Sequence, residues 1–369
     1  MIFLCVLLGY NAFVIETLNE REAFLMYFIY KMAIGLSAAF AITMVLLRFL
    51  PGEKVLLGHD RGRKFAQGAA ANIGKPTGVG FYFMLVFLVI SALLCFIYNP
   101  VTSDKGLFES GNEVTGLAMG LIATLAAMVT GWLDDRSKDA WNEYLKGALD
   151  FIVSLIGAFI CVHFFGTRVY IAITGTYFDL NPVVFYLLAV ILFVVSINAT
   201  NATDGIDGLS GTLSILAVFT TFLMGFMALS LPDRNSIILL VVFIPSVMAY
   251  LLYNFNPSKM PMGDAGSRGL GFFIAFFLIY CRVPLLYFIV GLPFLCDGGI
   301  SIVKITVGRL TKKKIILFKN ITTPLHDELR KNRKFSVKRV WFVLVIAAGM
   351  IDFLYVFAAT LLRVLGIVG

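Results

Sequence analysis

Tyr253-Asn254-Phe255-Asn256-Pro257-Ser258-Lys259-Met260-Pro261-Met262-Gly263-Asp264-Ala265-Gly266-Ser267 breaks an otherwise apolar chain with an acid, two amides, a lysine and two closely spaced glycines. Two upstream breaks have the same character: Gly131-Trp132-Leu133-Asp134-Asp135-Arg136, and Asn198-Ala199-Thr200-Asn201-Ala202-Thr203-Asp204-Gly205-Ile206-Asp207-Gly208. Carboxylates are costly near hydrocarbon and rarely stay there without a partner or a task. Three acid-bearing breaks between hydrophobic spans therefore read as one polar, metal-binding site in a membrane protein.

Composition agrees. Of 369 residues, 59% are hydrophobic and only 14% charged, against roughly 25% charged in soluble domains. Apolar stretches long enough to cross roughly 30 Å of hydrocarbon recur along the chain, which predicts an all-α polytopic membrane protein forming a single domain over 1–369. Ten spans are expected, at about 24–50, 79–98, 114–133, 145–165, 183–199, 209–230, 236–253, 268–281, 284–306 and 338–362, from the length and apolar character of each stretch. Residues 1–15 are apolar but short and read as an interfacial or re-entrant piece. Residues 169–180, β-branched and aromatic around Gly175-Thr176, predict a small outer-face β-hairpin. The five cysteines lie scattered in apolar segments without CxxC spacing and read as packing residues.

The net charge of +8 belongs to the connections and points to membrane topology rather than to nucleic acid. Lys54, Arg61, Arg63, Lys64 and Lys75 fall in one connection, Arg136 and Lys138 in another, and Lys259 in a third. The last such connection runs from Arg309 to Lys334. The alternate connections, 99–113, 166–182 and 231–235, are poor in Lys and Arg, with Arg282 alone in the next. The positive-inside rule then puts the basic set in the cytoplasm and both termini outside. All three acidic motifs and the 307–337 loop fall on that same cytoplasmic side, so they are expected to form one composite site.

Each motif has its own chemistry. Adjacent Asp134 and Asp135 repel unless a cation sits nearby. Hard oxygen donors suit Mg²⁺, usually shared with substrate phosphates, although a solvated span end screened by Arg136 would look the same. Asp204-Gly205-Ile206-Asp207-Gly208 suits a helix start or tight turn, and Asn198 and Asn201 supply amides fit for a nucleobase or ribose. Asp264 precedes the next span, where a carboxylate can hold a metal at the membrane surface. The glycines of Gly266-Ser267-Arg268-Gly269-Leu270-Gly271 follow no strand and read as close helix packing. In the last loop, His326-Asp327-Glu328 stands in a basic run that attracts anionic headgroups. His326 can donate to a phosphate oxygen, and the two flanking acids favour its charged form. His59 and His163 read as structural. Asp297, inside the ninth span, reads as a functional acid or a hinge.

Taken together, Leu133-Asp134-Asp135, the Asn-Ala-Thr-Asn-x-Thr-Asp-Gly-x-Asp-Gly run and Met262-Gly263-Asp264-x-Gly266-Ser267 resemble the polyprenyl-phosphate N-acetylhexosamine-1-phosphate transferase superfamily (glycosyltransferase family 4), over roughly residues 50–345. Within it the chain is most similar to the phospho-N-acetylmuramoyl-pentapeptide transferases. The resemblance implies Mg²⁺ held by Asp264 and Asp134, with Asp134, Asp135, Asp264 and His326 catalytic. It also implies a uridine-diphosphate pocket formed by Lys75, Asn198, Asn201, Asp204, Asp207 and Asn254. The implied substrates are UDP-MurNAc-pentapeptide and undecaprenyl phosphate, with lipid I and UMP as products and Asp134 as candidate base; oligomeric state, a homodimer included, is left open. Three departures from the family pattern stand out. His326 is followed by acids instead of two more histidines, Gly74-Lys75-Pro76-Thr77-Gly78-Val79-Gly80 replaces Thr-Pro-Thr-Met-Gly-Gly, and Pro261 replaces an aromatic. A UDP-GlcNAc:polyprenyl-phosphate transferase is the nearest alternative, and a transporter with an intramembrane acid relay the alternative of another class. Membrane phosphotransferases with an Asp-Gly-x-x-Ala-Arg signature are excluded, because the chain has no Ala-Arg dipeptide.

Overall fold

The computed structural model describes residues 20–49, 58–59, 74–97, 111–137, 139, 141–229, 234–312, 314, 318 and 321–367. The apolar piece expected at 1–15 lies outside them, as do the 61–73 connection and most of 99–113.

Helices dominate: α1 (Glu20–Phe49), α2 (Gly80–Ala92), α3 (Gly111–Arg136), α4 (Glu143–Ile160), α5 (Pro182–Thr203), α6 (Leu209–Leu229), α7 (Arg234–Asn254) and α8 (Gly263–Tyr280). After them come a bent segment, α9a (Pro284–Val290) and α9b (Leu292–Leu310), the short α10 (Leu325–Lys331) and the long α11 (Val337–Val364). Among the described residues seven helices are long and apolar enough to cross a membrane, or eight if the bent pair is one span. Every one of the ten expected spans has a helical counterpart, but three are not plain apolar rods. Gly80–Phe96 is short. α8 begins five residues before its expected edge, on the polar Gly263-Asp264-Ala265-Gly266-Ser267. The ninth is bent by 56° at Gly291, just before Pro293, whose missing N–H removes one bond of the helical ladder.

α8 is the centre of the bundle, buried from Asp264 to Tyr280 and packed against α2, α3, α5 and α6. Its glycines do what close spacing predicted. A Cβ on Gly271 would stand 2.6 Å from the Ile197 Cα of α5, and one on Gly131 of α3 would strike the Asp264 carbonyl. In lipid the helices gain little from hiding apolar surface, so close backbone approach and side-chain packing hold them together. Phe273 of α8 stacks on Phe243 (5.1 Å) and meets Phe87 edge-on (4.6 Å), and Ser196 of α5 donates to the Gly271 carbonyl at 2.7 Å.

Arg168–Ile171 and Thr176–Asp179 pair antiparallel, in the register Arg168 to Asp179, around Gly175 at φ 68. This is the expected hairpin, and Tyr170 N donates to the Arg282 carbonyl just past α8. It therefore sits at the end of α8 away from Asp264. A second short pairing joins Gly58–His59 to Pro76–Thr77. His163 stacks on Phe159 (5.7 Å) and packs against Phe164, as a structural histidine should. Cys95, Cys161 and Cys281 are buried and unbridged, consistent with packing.

The crossing at Gly131 yields a stability prediction. Gly131→Ala forces a methyl into the α8 backbone and should cost about 1–3 kcal/mol, the usual range for overpacking. Gly349→Ala, where nothing lies within 4 Å, should be neutral or stabilising. Melting of both variants in detergent checks the contrast.

Candidate active site

α3 ends on its acid pair, and the two carboxylates part company there. The Asp135 carboxylate accepts from the Asp264 N–H (3.1 Å) and the Ala265 N–H (2.9 Å), the first turn of α8. Those N–H groups have no partner within their own helix, and the positive end of its dipole favours an anion. Gly263, at φ +70, is the residue over which the carboxylate passes, and a side chain there would collide with it. Asp135 is thus a cap that fastens α3 to α8, with both oxygens committed to that role.

Asp134 points the other way. Its Oδ1 accepts from Trp141 N at 2.8 Å, and its Oδ2 pairs with the Lys146 ammonium from α4. The same ammonium lies 2.9 Å from Asp264 Oδ2. Asp264 Oδ1 accepts from Asn201 Nδ2 at 3.0 Å, and that amide also donates to Ser267 Oγ at 2.9 Å. Behind Asp264, Arg268 Nη2 stands 3.6 Å from its Oδ2 while Nη1 donates to Asp150 at 3.0 Å, all three side chains buried. One chain of charge runs Asp134–Lys146–Asp264–Arg268–Asp150 through three helices.

The residues expected to hold a nucleotide lie next to this chain, but several spend their polar atoms on the protein. Asn198 donates to the Val194 carbonyl (2.9 Å) and reaches Asp150, which places it behind the charge chain. Asn201 steers Asp264. Asn254 is buried: its Oδ1 accepts from Gly208 N (2.8 Å), and its amide donates to Ser258 Oγ (3.0 Å) and the Met260 carbonyl (3.1 Å). Asp207 accepts from Asn256 Nδ2 (2.8 Å) and Ser258 N (3.1 Å). Lys75 donates to the Ser258 carbonyl at 2.6 Å. Asn254 and Asp207 therefore fix the 204–208 and 254–262 loops against each other, and Lys75 ties the 74–78 turn to the second of them, so that the three shape the rim. Asp204 closes α5 beside Gly205. Phe255, 41% exposed, lies edge-on to Trp341 (5.5 Å) above Gly208.

The last loop brings in a residue from the ninth segment. His326 opens α10 with its N–H on Asp297 Oδ1 (2.7 Å) and its ring Nδ1 2.8 Å from Asp297 Oδ2. A carboxylate accepts only, so Nδ1 is the donor and Nε2 is left to face the loop. Nε2 lies directly over Gly205, where a side chain would meet the ring. Asp297 is fully buried in the π-helical turn Leu295–Gly299, brought against α5 because Gly298 packs on the Ala199 carbonyl. It is an orienting acid rather than a hinge. The acid that acts on His326 is therefore Asp297 and not its sequence neighbours: Asp327 pairs with Lys331 at 2.9 Å, and Glu328 accepts from Thr322 N at 2.8 Å, a bond that holds the Glu328 carboxyl below its ordinary range.

Among the described residues no three acids, histidines or cysteines gather as a ready-made metal cage. Two carboxylates nevertheless converge on one cation, the Lys146 ammonium. One or two carboxylates completed by substrate phosphates is the usual way to hold Mg²⁺, so Asp134 and Asp264 fit the group expected there. Three site residues, Lys146, Asp150 and Arg268, and the partnering of Asp297 with His326 were not assigned from sequence. A charged side chain inside an apolar span was the signal available for all of them.

The glycosyl transferase family 4 model matches residues 117–282, which contain Asp134, Lys146 and Asp264. A phospho-N-acetylmuramoyl-pentapeptide-transferase of Treponema pallidum (strain Nichols) is 32% identical over 345 residues, covering 87% of each chain. The chain belongs to the phospho-N-acetylmuramoyl-pentapeptide transferase family. Proteins of that name from Streptococcus thermophilus (strain CNRZ 1066), 28% identical over 79% of this chain and 85% of theirs, and Streptococcus agalactiae (serotype III), 29% identical over 79% and 86%, are similar too. The chain is a multi-pass membrane protein, and the charged network around Asp264 sits at one end of its helix bundle.

The Asp297–His326 pair generates a prediction about turnover. His326→Ala and Asp297→Asn should each lower it by about 10²-fold or more, the range of a positioned proton-transfer or hydrogen-bonding side chain. The double variant should be no slower than His326→Ala alone, because the acid acts through the ring. Asp327→Ala and Glu328→Ala should stay within a few-fold of wild type on the same reasoning. Rates of UMP release from the five proteins test this ordering.

Proposed function

We propose that this chain transfers phospho-MurNAc-pentapeptide from UDP-MurNAc-pentapeptide to undecaprenyl phosphate, forming lipid I and releasing UMP, at the cytoplasmic face of a bacterial plasma membrane. The observation that carries this reading is the pair Asp134 and Asp264 sharing one cation at the mouth of the bundle, in a chain of this family. The alternation of basic and charge-poor connections supports the cytoplasmic placement. The relatives' shared name favours the muramoyl substrate over UDP-GlcNAc. A network confined to one end fits a transferase better than a relay crossing the bilayer.

Phosphoryl transfer of this kind is mainly positioning and charge stabilisation. Asp264 and Asp134 would hold Mg²⁺ on the pyrophosphate, where it supplies neutralisation of the phosphate oxygens and of the UMP leaving group. Lys146 adds a mobile positive charge within reach of the same phosphates, and Arg268 keeps Asp264 fixed from behind. His326, its Nδ1 committed to Asp297, presents Nε2 over Gly205 for a phosphate or hydroxyl of the bound nucleotide-sugar. The rim loops held by Lys75, Asp207 and Asn254 give the nucleotide its walls. The lipid phosphate oxygen attacks the sugar-linked phosphorus, and the bond to the UMP oxygen breaks. With Oδ1 on Trp141 N and Oδ2 given to the ion, Asp134 serves this reaction as a metal-holding acid rather than as the base for the lipid phosphate.

Purified protein given undecaprenyl phosphate, Mg²⁺ and UDP-MurNAc-pentapeptide should release UMP and make lipid I, and UDP-GlcNAc should give little. Chelation should stop the reaction, and Asp264→Asn should lower it by at least about 10²-fold without unfolding the protein. Near-normal UMP release from Asp264→Asn would overturn the metal-holding role.

A further inference from the structure

We propose that Lys146 is an exchangeable counter-ion: in the ligand-free protein its ammonium holds the point between Asp134 and Asp264 that a divalent cation takes during the reaction, and it gives that point up to the ion. The proposal rests on the metal-holding roles assigned above to Asp134 and Asp264.

Two carboxylates that face each other need a positive charge between them. Here it is Lys146, bound to Oδ2 of both Asp134 and Asp264. Each carboxylate keeps a second bond that does not involve the lysine. Asp134 Oδ1 holds Trp141 N, and Asp264 Oδ1 holds Asn201 Nδ2. Departure of the ammonium would leave both acids aimed at the same point. The two cations of the network also differ in their freedom. Arg268 is a planar group with a side chain 4% exposed and clamped by Asp150. Lys146 is 25% exposed, a compact charge on a flexible four-carbon stem. One is fixed and the other can swing toward solvent. Its leaving strands two buried carboxylates unless another cation arrives, which couples the two events. The same swing delivers the ammonium to the phosphates that come with the ion.

A static staple of α4 to α3 and α8 would have the same contacts but the opposite consequence. Removing a staple loosens the acids and weakens ion binding, whereas removing a placeholder strengthens it. Mn²⁺ titration of the full chain in detergent, without nucleotide and followed by the free-ion EPR signal, separates the two. Lys146→Met should bind Mn²⁺ at least about tenfold more tightly than wild type, since a full charge leaves the ion's own position. Asp264→Asn should lose most of the binding. Lys259→Met removes an exposed positive charge from the 254–262 loop, outside the Asp134–Asp150 chain, and should change the affinity less than about twofold. Equal or weaker binding by Lys146→Met, or equal tightening by Lys259→Met, overturns the proposal. Should Lys146→Met fail to fold, the wild type decides: acetylation of the Lys146 amine, read by mass spectrometry, should quicken several-fold on adding Mn²⁺, and an unchanged rate overturns the proposal. No arm depends on UMP release, so a failure here is distinct from failure of the transferase assignment.

Discussion

The carboxylate of Asp135 on the Asp264 and Ala265 N–H groups, in the first turn of α8, is the constraint from which the site is built. It joins the end of one helix to the start of another at the Asp264 end of α8, a helix buried from Asp264 to Tyr280. Because the cap uses Asp264 N and Ala265 N, it also sets where the Asp264 side chain begins. Because Asp134 is its neighbour in sequence, the second acid of the pair is aimed from the same helix end toward Lys146 and Asp264. Gly263 and Gly131 are small for the same reason: the cap requires backbone and carboxylate to meet without a side chain between them.

Around that junction, charge is distributed so that no buried acid stands alone. Breaking a buried pair by removing one member costs far more than an exposed pair contributes. The alternation of acid and base from Asp134 to Asp150 is therefore expected to behave as a unit, with coupling between its members. The histidine side of the site repeats the principle with a single pair, Asp297 holding His326 by both its ring and its backbone N–H. Both halves use a residue buried inside a span to orient a residue at the mouth, which lets apolar helices specify the geometry of a polar reaction.

Much of this was legible in the sequence. Ten apolar stretches marked ten helical segments, and the Gly175-Thr176 turn marked the hairpin. Three acidic breaks with alternating loop charge placed the motifs together, and the structure links them by hydrogen bonds. What the sequence could not assign was direction. Asp134 and Asp135 are adjacent acids, yet one caps a helix and the other meets a cation. That division depends on where α8 begins, a feature hidden by an apolar window that starts only after its polar first turn. Asn254 and Asp207 carry the polarity of a nucleotide pocket but are satisfied by the loops they fasten, since both depend on the fold of 254–262. Lys146 and Asp150 lie in a span without any motif around them, and Arg268 directly follows the Gly-Asp-Ala-Gly-Ser motif, yet only the cost of an unpaired intramembrane charge hints at the partners of all three. His326 was singled out from its loop, but its partner, Asp297, lies 29 residues upstream, in a π-helical turn with no sequence signature.

The central claim is that Asp134 and Asp264 form one cation position, with Lys146 as its occupant in the absence of ligand. The most direct measurement is an experimental structure of the chain with Mn²⁺ and UMP, using anomalous scattering to locate the ion. The account predicts an anomalous peak in contact with both carboxylates and the Lys146 ammonium displaced from between them. A peak bound elsewhere, or Lys146 still bridging the two acids beside a bound ion, would contradict it.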